Sequence, residues 1–581
     1  MSFSEIYRNF MRVNSTIDLP DREKLSREFF EELNCYSYPK YVNWAHEIFE
    51  GIHVRERGDD VALLWVDIDI GIEKTFTYKE VAKKGNQILN FLRYNHIDKG
   101  NNIYLITPSI PEVWFLFFAG IKGGIVTIPT ATNMTQWELE YRFKTSPPHV
   151  VVADESNSSV IDKTLMSMNI KPKAKIIIGE KKGWFKFDKI EEMSGKAVPA
   201  KTKPDDIIFC FFTSATSGMP KRVAHSAISY PVGHMSTANL IGLNTGDIHN
   251  NLSAPGWGKW AWSSLFVPFI VGATTTSFYT SKKFNPEKYL KALVKYNVNT
   301  FCAPPTAYRQ FVLLDLKKFN FSFLMESIGA GEPLNPEVIR KWKKSTNTTI
   351  RDIYGQTEST AMIGNPPWFK DKVIAGSFGK PHYMYDIILA DDEGKEIDNK
   401  NVEGNIAVRL SKWRAVGLFY EYIKDQPNMK EAFKHNLYYT GDRAYFDGNG
   451  YWWFVGRGDD IIKSSDYRIG PFEVESALAE HEAVVESAIV GSPDSKRWQI
   501  VKAFVILKSD FAGSKEIAQS IFKKTLEILP KYEIPRIIEF VDELPKTIGG
   551  KIKRKELKEL EVEKKNKGLI GKNEYFYSDV M

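Results

Sequence analysis

The sequence predicts an α/β protein with a large N-terminal domain of βαβ-built sheets, a β-rich subdomain and a small α+β C-terminal domain. From residue 103 onward, short apolar runs typical of strands alternate with helical patterns, which favours βαβ units and largely parallel sheets. After residue 403 the strand-like runs are short and separated by glycine and aspartate turns. A charged, glycine-rich break at 456–460 then precedes about 120 residues, an ordinary size for a domain.

Apolar runs predict the elements of the first half. Residues 1–50, rich in aromatic and charged side chains, indicate a helical extension packed on the first domain. We predict helices at 111–120 and 137–144 and strands at 103–106, 124–129, 150–153, 176–178 and 207–212. Because the alternation starts again after residue 205, we expect a second sheet there, within the same large domain.

Turn signals and charge organise the second half. Gly-Asn-Gly at 448–450 is typical of a hairpin turn, and a strand follows at 451–455. The last part has the order β, α, β, α, β. Basic residues crowd 551–558 and acidic residues follow to 563, as in a surface helix stabilised by ion pairs. We place the domains at 1–458 and 459–581.

Composition limits the classes of function. The chain has 581 residues and a net charge of +6, which is small for this length, and it carries no nucleic-acid-binding pattern. The longest apolar run, 113–121, is far shorter than the ~18 residues of a membrane span. The three cysteines lack metal-binding spacing, and the N-terminus lacks the apolar core of a signal peptide. We predict a cytoplasmic protein with no nucleic-acid partner and no membrane span.

One stretch carries the strongest chemical signal. The apolar run 207–212 leads into Thr-Ser-Ala-Thr-Ser-Gly-Met-Pro-Lys at 213–221. Hydroxyl and backbone N–H groups donate to phosphate oxygens, and a lysine adds a mobile positive charge. The stretch lacks the GxxxxGK[ST] spacing of a Walker loop. Taken alone, it predicts either a phosphate-binding loop or a polar connection between a strand and a helix.

Further motifs accompany this loop. They are Tyr-Gly-Gln-Thr-Glu at 354–358, Thr-Gly-Asp at 440–442, Gly-Arg-Gly-Asp-Asp-Ile-Ile-Lys at 456–463, Tyr-Arg-Ile-Gly-Pro-Phe-Glu at 467–473 and Pro-Lys-Thr-Ile-Gly-Gly-Lys at 545–551. Each alone is a weak pattern, but their order is specific. With them, the chain resembles the adenylate-forming superfamily of acyl-CoA synthetases, luciferases and peptide-synthetase adenylation domains. The resemblance implies a C-terminal domain that swivels about a hinge at Asp459.

The resemblance also implies an ATP site. Joining a carboxylate to ATP brings two anions together, so cations and N–H donors are needed. Thr357, Glu358 and Lys551 are the implied catalytic residues: Thr357 at the α-phosphate, Glu358 on Mg²⁺, and Lys551 between the carboxylate and the α-phosphate. The loop is implied for the β- and γ-phosphates, Tyr354 for adenine, and Asp442 with Arg457 for the ribose. The implied ATP-binding set is Thr213, Ser214, Thr216, Ser217, Gly218, Lys221, Gly331, Glu332, Asp352, Tyr354, Gln356, Thr357, Asp442, Arg457 and Lys551.

Within the superfamily, the chain is most similar to medium-chain acyl-CoA synthetases, through 464–475 and 334–337. Gly-Trp-Gly-Lys-Trp at 256–260 resembles their acyl-pocket segment and implies Trp257 and Gly258 at the pocket, although core packing explains its tryptophans equally well. Acetyl-CoA synthetases carry tryptophan where this chain has Gly355, which implies an open pocket here. We expect an acid longer than acetate: a medium-chain fatty acid or a four-carbon acid such as butyrate or 4-hydroxybutyrate.

The resemblance places CoA along one loop of the C-terminal domain. The implied CoA-binding residues are Ser464, Ser465, Asp466, Arg468 and Arg497. Two positions depart from the family pattern. Ala215 replaces a glycine of the phosphate loop, and Asp466 replaces a glycine beside the tunnel for pantetheine. The aspartate puts normal CoA transfer in doubt.

The predicted function is an ATP-dependent acid–CoA ligase that forms acyl-CoA, AMP and pyrophosphate through an acyl-adenylate. ATP, Mg²⁺ and CoA are the implied cofactors and co-substrates, and a small carboxylic acid is the implied partner. The sequence leaves open whether the protein forms a homo-oligomer. Two alternatives remain: a stand-alone enzyme that loads a carrier protein, and a degenerate nucleotide-binding homologue. The presence of Glu358, Asp442, Arg457 and Lys551 argues against the second.

Overall fold

The computed structural model of the chain describes residues 2–213, 220–369, 372–465, 467–494, 497–546 and 551–581. The strands of these residues are β1 (Val61–Asp67), β2 (Ile72–Thr77), β3 (Asn102–Ile106), β4 (Val126–Pro129), β5 (Val150–Asp154), β6 (Ala174–Ile178), β7 (Phe185–Lys186), β8 (Ile207–Thr213), β9 (Lys221–Ser226), β10 (Ile248–Asn251), β11 (Thr274–Tyr279), β12 (Thr300–Ala303), β13 (Glu326–Ala330), β14 (Ile350–Gly355), β15 (Ala361–Gly364), β16 (Lys380–Pro381), β17 (Ile387–Ala390), β18 (Gly404–Arg409), β19 (Glu421–Tyr422), β20 (Phe433–Lys434), β21 (Leu437–Phe446), β22 (Trp452–Arg457), β23 (Ile462–Ser464), β24 (Tyr467–Ile469), β25 (Val484–Asp494), β26 (Trp498–Leu507), β27 (Ile537–Phe540) and β28 (Glu574–Phe576).

The α-helices are α1 (Phe3–Asn14), α2 (Leu19–Asn34), α3 (Arg55–Arg57), α4 (Tyr78–Tyr94), α5 (Glu112–Gly123), α6 (Gln136–Thr145), α7 (Glu155–Ser167), α8 (His234–Ile241), α9 (Gly258–Trp260), α10 (Val267–Val271), α11 (Pro286–Lys295), α12 (Pro305–Phe311), α13 (Pro336–Thr346), α14 (Gln426–Ala432), α15 (Pro471–Ala479), α16 (Lys515–Ile528), α17 (Arg554–Asn566) and α18 (Tyr577–Val580). Residues Ala45–Val54 and Ala261–Phe266 are π-helical, and Phe187–Glu192, Leu316–Lys318 and Pro367–Phe369 form 3₁₀ turns.

Local sequence explains where several helices begin and how they pack. The side chains of Thr77 and Thr135 accept from backbone N–H groups three residues on, and Glu80 and Glu138 complete the capping boxes of α4 and α6. Helix α5 is apolar on all sides and is buried from Val113 onward. A Cβ on Gly85 of α4 would lie 2.3 Å from the Phe118 ring, so the glycine permits the close packing of α4 on α5.

Two large sheets, built mainly from parallel pairs, form the N-terminal part. Within the described residues the first has the strand order β19-β9-β8-β4-β3-β5-β6-β7, and the second β16-β15-β14-β13-β12-β10-β11-β1-β2. The strands predicted at 103–106, 150–153 and 207–212 are observed. A second sheet is present, but the prediction that it consists of the strands after residue 205 was wrong. Strands β8 and β9 join the first sheet, whereas β1 and β2 from the start of the chain join the second.

Two smaller sheets follow. Strands β17, β18, β20, β21 and β22 form an antiparallel sheet, in which the hairpin predicted at 448–450 joins β21 to β22. Strands β23 to β28 form the last sheet, and α15 and α16 pack on it around a separate apolar cluster that includes Ile462, Ile521 and Ile538. Leu557 of α17 belongs to another apolar cluster, with Ala488 and Phe504 of the sheet. In the described part of the chain, no helix has the length and apolar character needed to cross a membrane.

Candidate active site

The two ends of the predicted phosphate loop are held together by strand pairing. Thr213 ends β8, Lys221 begins β9, and the two residues are partners in the antiparallel register. The loop therefore joins two strands of a hairpin and not a strand and a helix. It leaves β8 at its carboxyl end, the side on which ligands bind in α/β sheets. Residues 214–219 of the loop fall outside the described ranges: Ser214, Ala215, Thr216, Ser217, Gly218 and Met219.

Glu358 is connected to this loop through an aromatic side chain. The Tyr422 hydroxyl donates to Glu358 Oε1 at 2.9 Å, and Lys221 Nζ lies 4.9 Å from the centre of the Tyr422 ring. Burial raises the pKa of the Glu358 carboxyl, while the nearby charges of Lys221 and Arg457 counteract this. A carboxylate linked in this way to the end of the predicted phosphate loop is a donor that fits Mg²⁺, which takes one or two carboxylates together with phosphate oxygens.

The backbone of Thr357 is fixed by two buried side chains. Its carbonyl oxygen lies 2.7 Å from His225 Nε2 and accepts from the Tyr230 hydroxyl at 2.9 Å. Burial lowers the pKa of His225 to about 3, so the ring is neutral and its Nε2–H donates to the carbonyl. A Cβ on Gly258 would lie 3.4 Å from Thr357 Oγ1. The 354–358 motif thus meets the predicted acyl segment at this point.

Asp442 is buried in a network of hydrogen bonds. The Tyr354 hydroxyl donates to Asp442 Oδ2 at 2.6 Å, and Gln356 Nε2 donates to the same oxygen at 2.7 Å. The Tyr438 hydroxyl in turn donates to Gln356 Oε1 at 3.0 Å. Both of these bonds go to Oδ2. Neither Tyr354 nor Gln356 occupies Oδ1, an oxygen that can accept from a hydroxyl.

Open space adjoins the segment between β13 and α13. Gly331 has φ +110°, and among the described residues no atom apart from those of its chain neighbours lies within 4 Å of the position a Cβ would take. Glycine adopts this backbone at no steric cost and lets a ligand approach the chain closely. Asp352, on the adjacent strand β14, is buried and accepts from the backbone N–H of Ile353 at 3.0 Å. Burial raises the pKa of its carboxyl to about 7.

A tryptophan that the sequence analysis did not single out fills the space beside Gly355. A Cβ on Gly355 would lie 2.5 Å from Cη2 of Trp262 and 2.3 Å from the carbonyl oxygen of Thr360. The indole N–H of Trp262 points to the Tyr230 hydroxyl at 3.3 Å. Gly355 therefore admits the Trp262 ring, and the two together define this wall.

The two tryptophans of the predicted acyl segment at 256–260 differ from each other in burial. Trp260 is fully buried, with its ring centre 4.8 Å from that of Trp114 and 5.2 Å from that of Phe117, so it belongs to the core. Trp257 is half-buried and precedes the short helix α9. The alternative of core packing thus holds for Trp260, while Trp257 stays a candidate for the pocket.

Lys551 lies close enough to act electrostatically on two residues of the large domain. Burial raises the pKa of Asp442, and the positive charges of Arg457 and Lys551 oppose that shift. Burial lowers the pKa of Lys259, and the charge of Lys551 lowers it further. The C-terminal lysine of the 545–551 motif is thus brought to the same site as the 440–442 motif, 109 positions earlier in the chain.

Ion pairs link the two parts of the chain in this arrangement. Lys546 Nζ lies 2.6 Å from Glu486 Oε2, within the C-terminal part. Arg309 reaches across from α12 and lies 3.4 Å from Glu486 and 3.5 Å from Glu332. These ion pairs connect the 545–551 motif with Glu332 of the N-terminal part. They therefore stabilise the arrangement of the two parts in which the charge of Lys551 acts on Asp442.

The predicted hinge lies next to the Asp442 network. Arg457 is the β-ladder partner of Asp442 on the neighbouring strand. Its Nε lies 3.4 Å from Asp459 Oδ1, and both side chains are nearly half exposed. A hinge at Asp459 would therefore begin two residues after a group that faces the site.

The predicted CoA segment is more exposed. Ser464 is buried, but Ser465 is exposed and has φ +53°, and its N–H donates to the carbonyl oxygen of Arg497 at 2.9 Å. Trp498, the ladder partner of Ser464, is 78% exposed, and the sequence pattern gave no signal for it. Arg468 lies in β24, and Asp466 falls outside the described residues.

Comparison with protein families identifies the chain. A family model described as AMP-binding enzyme matches residues 52–414, and one described as AMP-binding enzyme C-terminal domain matches residues 473–551. The chain belongs to the AMP-binding enzyme family. The predicted superfamily is confirmed.

Individual members of the AMP-binding enzyme family agree with this assignment. The chain is 50% identical to 4-hydroxybutyrate–CoA ligase 1 of Metallosphaera sedula over 535 residues, 92% of this chain and 93% of that protein. It is 34% identical to mitochondrial acyl-coenzyme A synthetase ACSM3 of Mus musculus, with 96% of each chain covered. The crystal structure of the anthranilate CoA ligase AuaEII with anthranoyl-AMP superimposes with a TM-score of 0.83 at 28% identity, covering 91% of this chain and 99% of that one. The predicted fold class and the predicted enzyme class, an acyl-CoA synthetase, are confirmed.

Proposed function

We propose that this AMP-binding enzyme couples ATP to the formation of a CoA thioester of an acid with four or more carbons, in particular 4-hydroxybutyrate. The observation that carries the proposal is the 50% identity, over 92% of the chain, to a protein named as a 4-hydroxybutyrate–CoA ligase. The geometry supports it because residues from both parts of the chain meet at one site. A phosphate loop, a buried carboxylate and a lysine near that carboxylate are what an adenylation needs.

In the first half-reaction, a carboxylate oxygen of the acid attacks the α-phosphorus of ATP and the bond to pyrophosphate breaks. We assign Lys551 to the carboxylate and the α-phosphate, where its charge offsets the negative charge of the transition state. Thr357 contacts the α-phosphate, and its anchored backbone keeps it in place. Thr213 and Lys221 hold the ends of the loop that takes the β- and γ-phosphates, with Ser214, Thr216, Ser217 and Gly218 in between.

The nucleoside binds along the Asp442 network. Asp442 Oδ1 accepts from the ribose hydroxyls, and Arg457 assists. The ring of Tyr354 stacks on adenine, since its hydroxyl is fixed by Asp442. Gly331 and Glu332 form the opposite wall, where the glycine leaves room for the base. We assign Asp352 to the support of this wall, and Gln356 to the support of the ribose contact through its hydrogen bond to Asp442.

Glu358 is the residue we assign to Mg²⁺. The Tyr422 hydroxyl occupies Oε1 and orients the carboxylate towards the loop. When bound, the ion neutralises phosphate charge and so favours the approach of the acid. Lys221, stacked on Tyr422, complements it with a second positive charge on the same side.

In the second half-reaction, the thiol sulfur of CoA attacks the acyl carbon, the bond from that carbon to the AMP oxygen breaks, and the thiol proton passes to solvent. We propose that domain 459–581 turns about Asp459 against domain 1–458, which withdraws Lys551 and presents the CoA segment. Ser464, Ser465, Asp466, Arg468 and Arg497 would then line the CoA path. Trp257, Gly258 and Gly355, with Trp262, border the acyl group.

A cytoplasmic location and a role in fatty-acid or hydroxy-acid metabolism belong to the same proposal. Two other functions fit parts of the site: loading of a carrier protein, which needs only the first half-reaction, and nucleotide binding without turnover. Arg457 is the ladder partner of Asp442 and its charge acts on Glu358, so the groups that we assign to the ribose and to Mg²⁺ lie near one another, which supports turnover over simple binding.

ATP–pyrophosphate exchange with a panel of acids tests the proposal. Exchange that depends on acetate, butyrate, 4-hydroxybutyrate, hexanoate or octanoate shows adenylation, and the ranking identifies the acid. Addition of CoA then distinguishes the ligase, which releases acyl-CoA, from a carrier-loading enzyme, which does not. Exchange with none of these acids would refute the proposal.

A further inference from the structure

The acyl segment contains a buried ammonium group that the proposed chemistry does not use. Lys259 Nζ is shielded from solvent and has no hydrogen-bond partner among the described residues. Burying a charge without a partner is costly, and burial accordingly lowers the pKa of this lysine. In either protonation state the amino group keeps at least two N–H donors to offer. A ligand with an acceptor oxygen would satisfy it.

The position of Lys259 places this group at the site. The preceding residue, Gly258, approaches Thr357, since a Cβ there would lie 3.4 Å from Thr357 Oγ1. The charges of Glu332, Asp352 and Lys551 all act on Lys259. Glu332 follows the carboxyl end of β13, the end at which ligands bind in sheets of this kind, and Asp352 lies within the neighbouring strand β14. Lys259 is therefore a second cationic group of the site that contains Lys551.

A second buried polar atom without a partner adjoins it. Asn251 Nδ2 donates to the Lys259 carbonyl oxygen at 3.3 Å and to Ser264 Oγ at 2.9 Å, but Asn251 Oδ1 has no partner among the described residues. An unmatched donor and an unmatched acceptor on contacting residues suit a hydroxyl group, which both accepts and donates. A methyl group satisfies neither atom, and a carboxylate satisfies only the lysine.

We propose that Lys259, with Asn251 beside it, binds the hydroxyl group at the far end of a hydroxy-acid substrate, while Lys551 serves the carboxylate. The enzyme then selects an ω-hydroxy acid over the plain acid of the same length. The inference rests on the proposed acid–CoA ligase function and adds the group that determines its substrate. A site built to hydrogen-bond a hydroxyl rejects the analogue that lacks it, because its own polar groups stay unpaired.

The matched pair 4-hydroxybutyrate and butyrate tests this directly. We expect the wild-type enzyme to show a higher kcat/KM for 4-hydroxybutyrate in pyrophosphate exchange. Lys259→Met keeps the length of the side chain and removes its donor. It should lower kcat/KM for 4-hydroxybutyrate by about 10- to 100-fold, the range for a hydrogen bond from a charged group, and leave the butyrate value within about threefold. Lys259→Gln, which keeps a donor, should retain part of the preference.

Lys282→Met makes the same chemical change in an exposed loop and should alter neither value. Because Lys259 is unpaired, its replacement by methionine should not lower the melting temperature, which separates a recognition role from a structural one. An equal loss for both acids in Lys259→Met would overturn the inference, as would a wild-type preference for succinate over 4-hydroxybutyrate. Activity with butyrate alone would contradict the inference but not the ligase function, whereas absence of exchange with every acid would contradict the ligase function itself.

Discussion

Asp442 lies buried beneath Tyr354 and Gln356, whereas Trp498, beside the CoA segment, exposes 78% of its surface. The predicted nucleotide end of the site thus has its described side chains paired and oriented before any ligand binds, whereas Trp498 and Ser465 at the predicted CoA end lie open to solvent. Groups already held in place serve a reaction step without reorganisation. The described arrangement therefore suits adenylation, and the C-terminal part has to move before its exposed segment can serve the thioester step.

The largest effect should come from removing Lys551, which belongs to one domain and acts at the other. Lys551→Ala should slow adenylation by ~10²–10³-fold, the range for one group that stabilises a developing charge. The thioester step from supplied acyl-adenylate should keep its rate, because the charge is needed only while the carboxylate attacks. Single-turnover measurements of each half-reaction check this.

Lys546→Met removes a neighbouring charge of the same motif and serves as the control, with a much smaller loss expected. Equal slowing of both half-reactions in Lys551→Ala would contradict the division between the two ends of the site. Such a result would mean that Lys551 is needed in both positions of the C-terminal domain and therefore in both half-reactions.

A smaller effect is expected at the buried end. Asp442→Asn removes the charge that we assign to the ribose and should raise the KM for ATP about tenfold, at the low end for hydrogen bonds to charged groups. Tyr354→Phe removes one donor to Asp442 but keeps the ring and should raise that KM by about threefold. The thioester step should respond less to either change.

Asp442 should also make the binding of ATP depend on pH. Burial raises the pKa of Asp442, so its charged form is lost at a higher pH than for a free aspartate. ATP affinity should fall as the pH is lowered through that raised pKa, and Asp442→Asn should lack this fall. A pH profile identical in wild type and variant would assign the ribose contact to another residue.

A still weaker effect is expected from removing the ion pairs that join the N-terminal and C-terminal parts of the chain. Glu486→Gln breaks contacts to both Arg309 and Lys546. An ion pair of this kind contributes about 0.2–1 kcal/mol, so adenylation should slow by about two- to fivefold while the thioester step stays equal or quickens. Glu563→Gln, at an exposed pair with Lys567 within the C-terminal part, is the matched control. Slower thioester formation in Glu486→Gln would show that the network supports the other position of the domain.

Local patterns predicted the elements but not their partners. The run 207–212 and the hairpin at 448–450 are encoded by adjacent residues, so both were found. That β1 pairs with β11, about 200 residues later, and so brings β2 into the same sheet depends on long-range contacts that no local pattern contains. The same holds for Glu561, which belongs to the predicted surface helix but is fully buried against Lys502.

The candidate site shows the same limit. Motif residues such as Tyr354 and Asp442 were predicted through the family likeness, and the structure brings them together. Trp262 was missed because only the fold places its ring against Gly355. Lys259 was missed because a lysine in a sequence is normally an exposed residue, and its burial without a partner appears only in three dimensions.

The smallest expected effect concerns the exposed end and would sharpen its contrast with the buried one. Ser465 already has φ +53°, a region that non-glycine residues seldom adopt, and Asp466 stands where the family has glycine. Aspartate tolerates the left-handed region better than most residues, but it brings bulk and negative charge that glycine lacks, and the proposed role of this segment is to line the path of CoA. Asp466→Gly should therefore speed acyl-CoA formation by about two- to fivefold, because glycine removes both the bulk and the charge of this side chain. Pyrophosphate exchange should stay unchanged, since the nucleotide end is already assembled. A change in exchange, or no change in either rate, would show that Asp466 does not limit the thioester step.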